Sequence, residues 1–181
     1  MILTILRSIS IMVAIIIATQ ILHFAIESKI SVINEDDTKM KVVSTVREQD
    51  RQLQCMAQNI YFEAGKEPPE GKLAVAQVVM NRVNSGKFAA DPCSVIYQKN
   101  LFYDKIVCQF SWYCENPAIR NIKHTEAFKE SMEAAKMVYL EGFRLPSLTE
   151  ALYYHADYVN PQWKKSKVAK IGRHIFYKDN I

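Results

Sequence analysis

One acidic residue sits in a setting that could give it catalytic chemistry. Glu63 lies in the segment IYFEA at residues 60–64, among large apolar side chains. Such neighbours disfavour the charged form of a carboxyl group and raise its pKa. A carboxyl group that stays protonated near neutral pH can act as a general acid, as the cleavage of glycosidic bonds requires. The alternative is a surface glutamate at the end of a helix whose apolar residues face inward.

Most glycosidases pair this acid with a second carboxylate that acts as nucleophile or base. Glu67 and Glu70 are near Glu63 in the sequence, but they lie in a polar turn rich in Gly and Pro. Asp157 follows an aromatic segment and is the best remaining candidate. None of the three has an apolar setting like that of Glu63, so the sequence offers no matched second carboxylate.

The four cysteines of the chain could form two disulfides or bind a metal ion. An even count suits an oxidising compartment, and the sequence alone leaves the pairing open. A zinc site is disfavoured because the chain has no Cys-x-x-Cys, His-x-x-x-His or His-Glu-x-x-His pair. We therefore expect disulfides, no metal and no cofactor. The candidate residues are Cys55, Cys93, Cys108 and Cys114 for disulfides, and His124, His155 and His174 with Asp157 for zinc.

The elements that position Glu63 are mostly helices. Apolar residues recur at helical spacing over 50–64, which predicts a helix with Glu63 in its last turn. A second helix begins near Pro68 and ends at Gly86, and its apolar residues predict one buried face. Further helices are predicted from Asp91 to Gln98 and from His124 or Thr125 to Gly142, whereas residues 99–123 are predicted to be a loop.

The end of the chain has the character of strands. Residues 151–155 are rich in aromatic side chains, which favour strands. Residues 167–171 and 174–178 flank a Gly-Arg pair and predict a hairpin. The predicted fold class is therefore α+β, a mainly helical domain with a small C-terminal antiparallel sheet.

The N-terminal segment predicts a membrane anchor. Ser8 to Ile26 form a run of 19 residues without a charge, close to the ~20 that a helix needs to cross a bilayer. An uncleaved signal anchor is favoured over a cleaved signal peptide, because the run is long and lacks a good cleavage site. Arg7 before the run places the residues after the run outside the cytoplasm. The prediction is one transmembrane helix at 1–26 in the inner (cytoplasmic) membrane, a weakly ordered polar tether at 27–48 and a periplasmic domain at 49–181.

The predicted folded domain is basic. Residues 51–181 contain eighteen basic and thirteen acidic residues, and six of the bases lie in the last eighteen residues of the chain. A basic surface attracts acidic polymers, such as nucleic acid or peptidoglycan. The predicted export favours peptidoglycan and argues against nucleic acid. The alternative is a solvated basic edge that binds neither.

Several motifs together resemble those of the cell wall hydrolases related to the spore-cortex-lytic enzymes SleB and CwlJ. They are CMAQNIYFEA at 55–64, EGKLAVAQVVMNRV at 70–83, VIYQ at 95–98, QFS at 109–111, YYHA at 153–156, VNPQW at 159–163 and IGRHIFY at 171–177. The resemblance covers roughly residues 53–178. The shared order of the motifs is more specific than any one of them.

The resemblance implies a lysozyme-like fold with Glu63 on a helix beside a glycan cleft. It also implies that Glu63 protonates the glycosidic oxygen between N-acetylmuramic acid and N-acetylglucosamine and then acts as a base, in the manner of a lytic transglycosylase. A muramidase-type hydrolase, a non-catalytic wall-binding protein and a zinc amidase or peptidase are the alternatives. The expected partner is the peptidoglycan glycan strand, bound by a monomer.

Other side chains suit a sugar cleft, through flat faces or hydrogen bonds. The predicted contacts are Gln109, Phe110, Ser111, Tyr154, His155, Asn160 and Trp163, with Trp112 as a further stacking candidate. The resemblance ranks Ser111 and Tyr154 highest. For each aromatic residue the alternative is core packing. Asn81 and Arg82 match the second helix of the family but could equally be structural.

Overall fold

The computed structural model describes residues 2–115, 121–122 and 125–180. The chain divides into two units, Met1–Glu48 and Gln49–Ile181, and each is described by itself. The first helix, α1, comprises Ile2–Ala64.

The N-terminal unit is helical. Residues 27–48, predicted to be a weakly ordered polar tether, belong to α1. Among the described residues, no helix combines the length and the apolar character needed to span a membrane. The transmembrane helix predicted at 1–26 is therefore not found.

Helix α2, Pro69–Ser85, is the central helix of the second unit. It begins with a proline in its first turn and ends at Gly86, whose φ of 68° suits a residue without a Cβ. One apolar cluster packs Val75, Ala76 and Val79 against residues from the end of α1. A second cluster packs Ala74 and Val78 toward the C-terminal sheet. The sequence predicted only one buried face, but α2 is apolar on two sides because it lies between these two clusters.

Helix α3, Pro92–Ile96, is fixed to α1 by polar contacts. Asp91 caps α3, because its Oδ1 accepts a hydrogen bond from the Ser94 N–H at 3.0 Å. Gln52 of α1 donates to the same oxygen at 3.0 Å and accepts from the Cys93 N–H at 2.8 Å. A disulfide joins Cys55 to Cys93 at the same junction.

Part of the predicted loop at 99–123 has regular structure. Strands β1, Lys99–Phe102, and β2, Lys105–Cys108, form an antiparallel hairpin. The short helix α4, Ser111–Cys114, follows, and a second disulfide joins Cys108 to Cys114. The loop prediction is wrong here because Tyr103 and Asp104 turn the chain at φ of 43° and 63° without the glycine that usually marks such a turn.

Helix α5, Glu126–Tyr139, begins after Thr125 as the sequence predicts and packs on α2. The ammonium of Lys72 on α2, almost fully buried, pairs with Glu130 of α5. A single turn of 3₁₀ helix at Pro146–Leu148 leads toward the sheet.

The C-terminal sheet confirms the strand predictions. It contains β3, Tyr153–Ala156, β4, Ser166–Ile171, and β5, His174–Lys178, in the antiparallel order β3-β5-β4. Residues paired across strands share a face of the sheet. Tyr154 pairs with Phe176 on the inner face, which packs on α2, and Tyr153 pairs with Tyr177 on the outer face. The fold is therefore α+β, mostly helical with small antiparallel sheets.

Candidate active site

Glu63 lies in the last turn of α1 and is held by a residue of the sheet. The Tyr154 hydroxyl donates a hydrogen bond to Glu63 Oε2 at 3.0 Å. These two residues are 91 positions apart in the chain, so the folding of the sheet onto α2 brings them together. The structure thus joins the predicted acid to one of the two contact residues that the resemblance ranked highest.

The surroundings of Glu63 raise the pKa of its carboxyl group above the usual value of 4.5. Burial is the largest cause, because it disfavours the charged form. The Tyr154 hydrogen bond and the Arg82 charge act in the opposite direction, while the Glu115 charge adds to the rise. Burial and the Glu63 carboxyl also raise the pKa of Tyr154. The Tyr154 hydroxyl therefore stays protonated and acts as a donor.

Arg82 is the cation of this site. Its side chain is 4% exposed and its Nε donates to the Leu152 carbonyl at 2.8 Å. Its guanidinium lies over the rings of Phe88 and Phe110, with centroid distances of 5.2 and 5.0 Å. Gln109, with its amide oxygen turned toward Arg82, accepts from both terminal nitrogens at 3.2 and 3.3 Å. Arginine keeps its charge in proteins, although burial lowers the pKa of Arg82.

The sequence left the role of Arg82 open between function and structure. The signal for a functional role of Arg82 is its position as a basic residue within the apolar run of α2. Asn81, its neighbour, is structural, because its Nδ2 donates to the carbonyls of Leu148 and Ala151 at 2.7 and 2.9 Å.

Two open pockets flank the end of α1, and Phe62 lines both. One, of about 350 Å³, is lined by Glu63 and Glu67 together with Tyr61, Phe62, Ala64, Gly65, Lys66 and Ala127. The other, of about 220 Å³, is lined by Gln58, Phe62, Tyr97, Trp112 and Tyr113. Glu63 therefore lines a concave surface beside aromatic rings and an amide.

The segment at 109–112 supports the site from the side of α4. Phe110 is buried beneath Arg82, whereas Ser111 begins α4 and is exposed. Trp112 is 6% exposed, stacks on Phe62 with centroids 4.6 Å apart, and donates from Nε1 to Asn59 at 3.0 Å. Phe110 and Trp112 therefore hold the site in place and offer little open surface to a sugar.

Two predicted contact residues lie together on the other side of β3 from Tyr154. His155 is on the outer face of the sheet, where its Nε2 is 2.9 Å from the Tyr177 hydroxyl. Trp163 packs against His155 with centroids 5.6 Å apart, and Asn160 is exposed in the loop after β3. His155, with Trp163 beside it, therefore lies on the face of β3 opposite to Tyr154, because neighbouring side chains of a strand point to opposite faces.

The other candidate carboxylates are differently placed. Asp157 is 3.0 Å from Lys170 and 3.6 Å from Arg173, and these cations lower its pKa. Glu67 lines the same pocket as Glu63, but its Oε2 accepts from the Arg173 N–H at 3.0 Å. Glu70 is exposed. Asp157 is thus engaged in ion pairs, and Glu67 ties the turn after α1 to the β4–β5 hairpin.

Comparison with known proteins places the chain in a family. The Cell Wall Hydrolase family matches residues 66–177. The chain belongs to this family. Glu63 lies just before the matched range. The chain is also 28% identical over 131 residues to the spore cortex-lytic enzyme of Halalkalibacterium halodurans and 29% identical over 133 residues to that of Bacillus subtilis.

Two solved SleB catalytic domains share the fold. The catalytic domain of the Bacillus cereus SleB protein superposes with a TM-score of 0.53 at 28% identity, covering 71% of this chain and 91% of that domain. The catalytic domain of the germination-specific lytic transglycosylase SleB from Bacillus anthracis gives a TM-score of 0.53 at 29% identity, covering 70% and 93%. The two spore cortex-lytic enzymes match over 70% and 68% of this chain, but the matches cover only 34% and 36% of their own lengths.

The cysteines of this chain form disulfides, as predicted. The pairs are Cys55–Cys93 and Cys108–Cys114, which the sequence alone could not choose. No cluster of three potential metal ligands occurs among the described residues. His124, one of the zinc candidates, lies outside them.

Proposed function

We propose that this chain is a peptidoglycan lytic transglycosylase in which Glu63 acts first as acid and then as base. The observation that carries the proposal is the partly exposed Glu63 carboxyl, whose pKa burial raises and which Tyr154 orients at the edge of an open pocket. Membership of the cell wall hydrolase family supports peptidoglycan as the substrate.

The reaction needs no water. Glu63 donates its proton to the glycosidic oxygen as the bond from C1 of N-acetylmuramic acid to that oxygen breaks, and N-acetylglucosamine leaves with a free hydroxyl. The resulting carboxylate then takes the proton from the 6-hydroxyl of the same muramic acid. That oxygen attacks C1 and closes a 1,6-anhydro ring. Glu63 ends protonated, ready for the next bond.

Tyr154 and Arg82 suit the second half of this cycle. Once Glu63 has given up its proton, its carboxylate accepts the Tyr154 hydrogen bond and feels the Arg82 charge. Both interactions favour the ionised form and oppose the effect of burial. Because burial favours the neutral form while Tyr154 and Arg82 favour the ionised form, the carboxyl group can lose and regain a proton within one turnover.

A muramidase-type hydrolase is the second candidate. It would need a carboxylate to activate water or to attack C1. Two carboxylates favour it: Glu67 lines the same pocket as Glu63, and the Glu115 charge raises the pKa of Glu63. Glu67 already accepts a backbone hydrogen bond, and Glu115 is exposed. These placements favour the transglycosylase.

Product analysis tests the choice. Purified sacculi digested with the protein should release fragments with 1,6-anhydromuramyl ends, seen by mass spectrometry. Reducing muramyl ends would establish the hydrolase. Free stem peptides would point to an amidase or peptidase, and the absence of any fragment would point to a non-catalytic wall-binding protein.

Substitution tests the role of Glu63. Glu63→Gln should abolish fragment release. Glu70→Gln, at an exposed position in the first turn of α2, should release fragments at the rate of the parent. Retained activity in Glu63→Gln would refute the assignment.

We also propose that the protein works outside the cytoplasm. Its two disulfides support this, because structural disulfides persist in oxidising compartments. Peptidoglycan, the proposed substrate, also lies outside the cytoplasm. Blocking of free thiols before and after reduction, in protein taken from cells, tests whether all four cysteines are oxidised there.

A further inference from the structure

We propose that the outer face of the C-terminal sheet is a second glycan-binding surface, separate from the pocket at Glu63. This surface, the aromatic platform, consists of Tyr153, His155, Trp163 and Tyr177. The inference rests on the proposed function, since it takes the peptidoglycan strand as the ligand.

Trp163 is the exposed centre of the platform. Its ring lies at a steep angle to those of His155, Tyr177 and Tyr153, with centroids 5.6, 5.9 and 6.3 Å away. It is 44% exposed, whereas Trp112, the other tryptophan of the chain, is 6% exposed. Clustered rings that stay open to solvent offer flat apolar area together with polar edges, a combination common in binding sites.

Hydrogen bonds hold the platform in one conformation. The two ring nitrogens of His155 lie 2.8 Å from the Ala156 carbonyl and 2.9 Å from the Tyr177 hydroxyl, and the His155 and Tyr177 rings stack with centroids 5.2 Å apart. A surface whose side chains are already fixed loses little conformational freedom when a ligand binds.

A polar pocket adjoins the platform. Asp179 links the two, because it accepts from Lys165, whose ammonium lies over the Tyr153 ring, and from Lys87 at the pocket wall. The pocket has a volume of about 490 Å³, and the residues that line it include Asn84, Ser85, Thr149 and Asn180. This volume falls in the range of about 300–1,000 Å³ that is usual for small-ligand sites. Amides and hydroxyls beside aromatic faces suit the hydroxyl and acetamido groups of a sugar.

Charge favours an acidic glycan. Lys167 pairs with Tyr177 across the strands, so it shares the outer face, and its side chain is exposed. Lys164 follows Trp163 and is exposed as well. The lactyl and stem-peptide carboxylates of peptidoglycan would meet these ammonium groups while its sugar rings meet the aromatic faces.

Tryptophan fluorescence tests the platform directly. In the Glu63→Gln protein, soluble uncross-linked glycan strands should reduce the quenching of tryptophan by acrylamide, because they cover Trp163 while Trp112 is already buried. The protection should disappear in Glu63→Gln/Trp163→Tyr, whose remaining tryptophan is Trp112. Protection that persists without Trp163 would overturn the proposal, as would equal protection by single-stranded DNA.

Binding to intact sacculi gives the second measurement. In the Glu63→Gln background, Trp163→Leu should weaken co-sedimentation about tenfold, as loss of a central aromatic contact does. Trp163→Tyr should restore most of it, and Tyr103→Leu, an exposed aromatic position on the β1–β2 hairpin, should bind like the parent. Thermal unfolding shows whether each variant is folded.

The outcomes separate this inference from the proposed function. Unchanged binding by folded Trp163→Leu refutes the platform even if the parent chain digests sacculi. Trp163-dependent binding without any digestion supports the platform and refutes the enzyme.

Discussion

At the scale of single residues, the buried Glu63 carboxyl that the proposed reaction needs should lower the free energy of unfolding at pH 7. Burial raises the pKa of the Glu63 carboxyl in the folded protein above its value in the unfolded chain. The neutral carboxyl therefore adds to the free energy of unfolding, and this contribution is fully present below the unfolded pKa of about 4.3. It is lost as pH rises through the folded pKa. Glu63→Gln, which stays neutral and can still accept from Tyr154, should therefore be more stable by about 1 kcal/mol at pH 7.

Denaturant unfolding of Glu63→Gln and the parent at pH 7 and at pH 4 measures this difference, which should shrink at the lower pH. Glu70→Gln serves as the control because its exposed carboxylate should give no such pH-dependent gain. A parent protein that is more stable than Glu63→Gln at pH 7 would show that the ionised carboxylate is well accommodated.

Tyr154 should set the pH range of activity through Glu63. Its hydrogen bond lowers the pKa of the Glu63 carboxyl. Tyr154→Phe removes that bond, so the pKa rises and the acid stays protonated to higher pH. The alkaline limb of the profile of kcat/KM against pH should shift upward, with a lower maximum because Glu63 is less well oriented. Tyr103→Phe is the control, and an unshifted limb would show that Tyr154 does not tune Glu63.

Some site residues could be found from the sequence and others could not. Glu63 stood out by its apolar neighbours, and the contact that fixes it comes from a strand that the aromatic run at 151–155 predicted. The placement of His155 and Trp163 was missed because a motif gives order along the chain, while the face of a strand depends on its register. Arg82 remained ambiguous because burial and partners decide whether a basic residue in an apolar helix has a role.

At the scale of elements, the two disulfides should differ in what they stabilise. Cys55–Cys93 closes a separation of 38 residues between α1 and α3, and Cys108–Cys114 closes one of 6 between β2 and α4. Because each disulfide restricts the unfolded chain, the first should add about 4 kcal/mol to the free energy of unfolding and the second about 2 kcal/mol. The paired Cys→Ser variants, measured by denaturant unfolding, should follow this order.

Activity should follow a different pattern from stability. The Cys108/Cys114 pair anchors α4, which begins at Ser111 and carries Trp112 against Phe62. Its removal should lower turnover of sacculi more than its small cost in stability suggests. Removal of Cys55–Cys93 should act mainly on stability, because Gln52 still joins α1 to α3. The opposite pattern would mean that α4 does not depend on its disulfide.

Most elements of the second unit were predictable from sequence pattern. Glycines at the ends of α1 and α2, the Asp91 cap and the aromatic strand at the C-terminal end are local signals, and each marks an element boundary in the structure. The β1–β2 hairpin was missed because its turn uses Tyr103 and Asp104 at positive φ. The second buried side of α2 was missed because the spacing of apolar residues does not show how many elements pack against a helix.

At the scale of the whole molecule, residues 49–181 should fold and act without the N-terminal unit. Both apolar clusters, both disulfides and the Tyr154–Glu63 contact lie within this range. The family match at 66–177 lies within it as well. A chain beginning at Gln49 keeps the part of α1 that carries Cys55, Asn59 and Glu63. Produced under oxidising conditions, it should unfold in one cooperative transition and release fragments from solubilised glycan strands within about twofold of the rate of the full chain.

The control for this truncation is a chain beginning at Glu63, which loses Cys55 and the apolar residues of α1 that pack on α2. It should fail to fold, because Cys93 loses its disulfide partner and the apolar cluster between α1 and α2 loses the α1 residues that form it. A 49–181 chain that folds but has lost turnover on soluble strands would show that residues before Gln49 contribute to the chemistry.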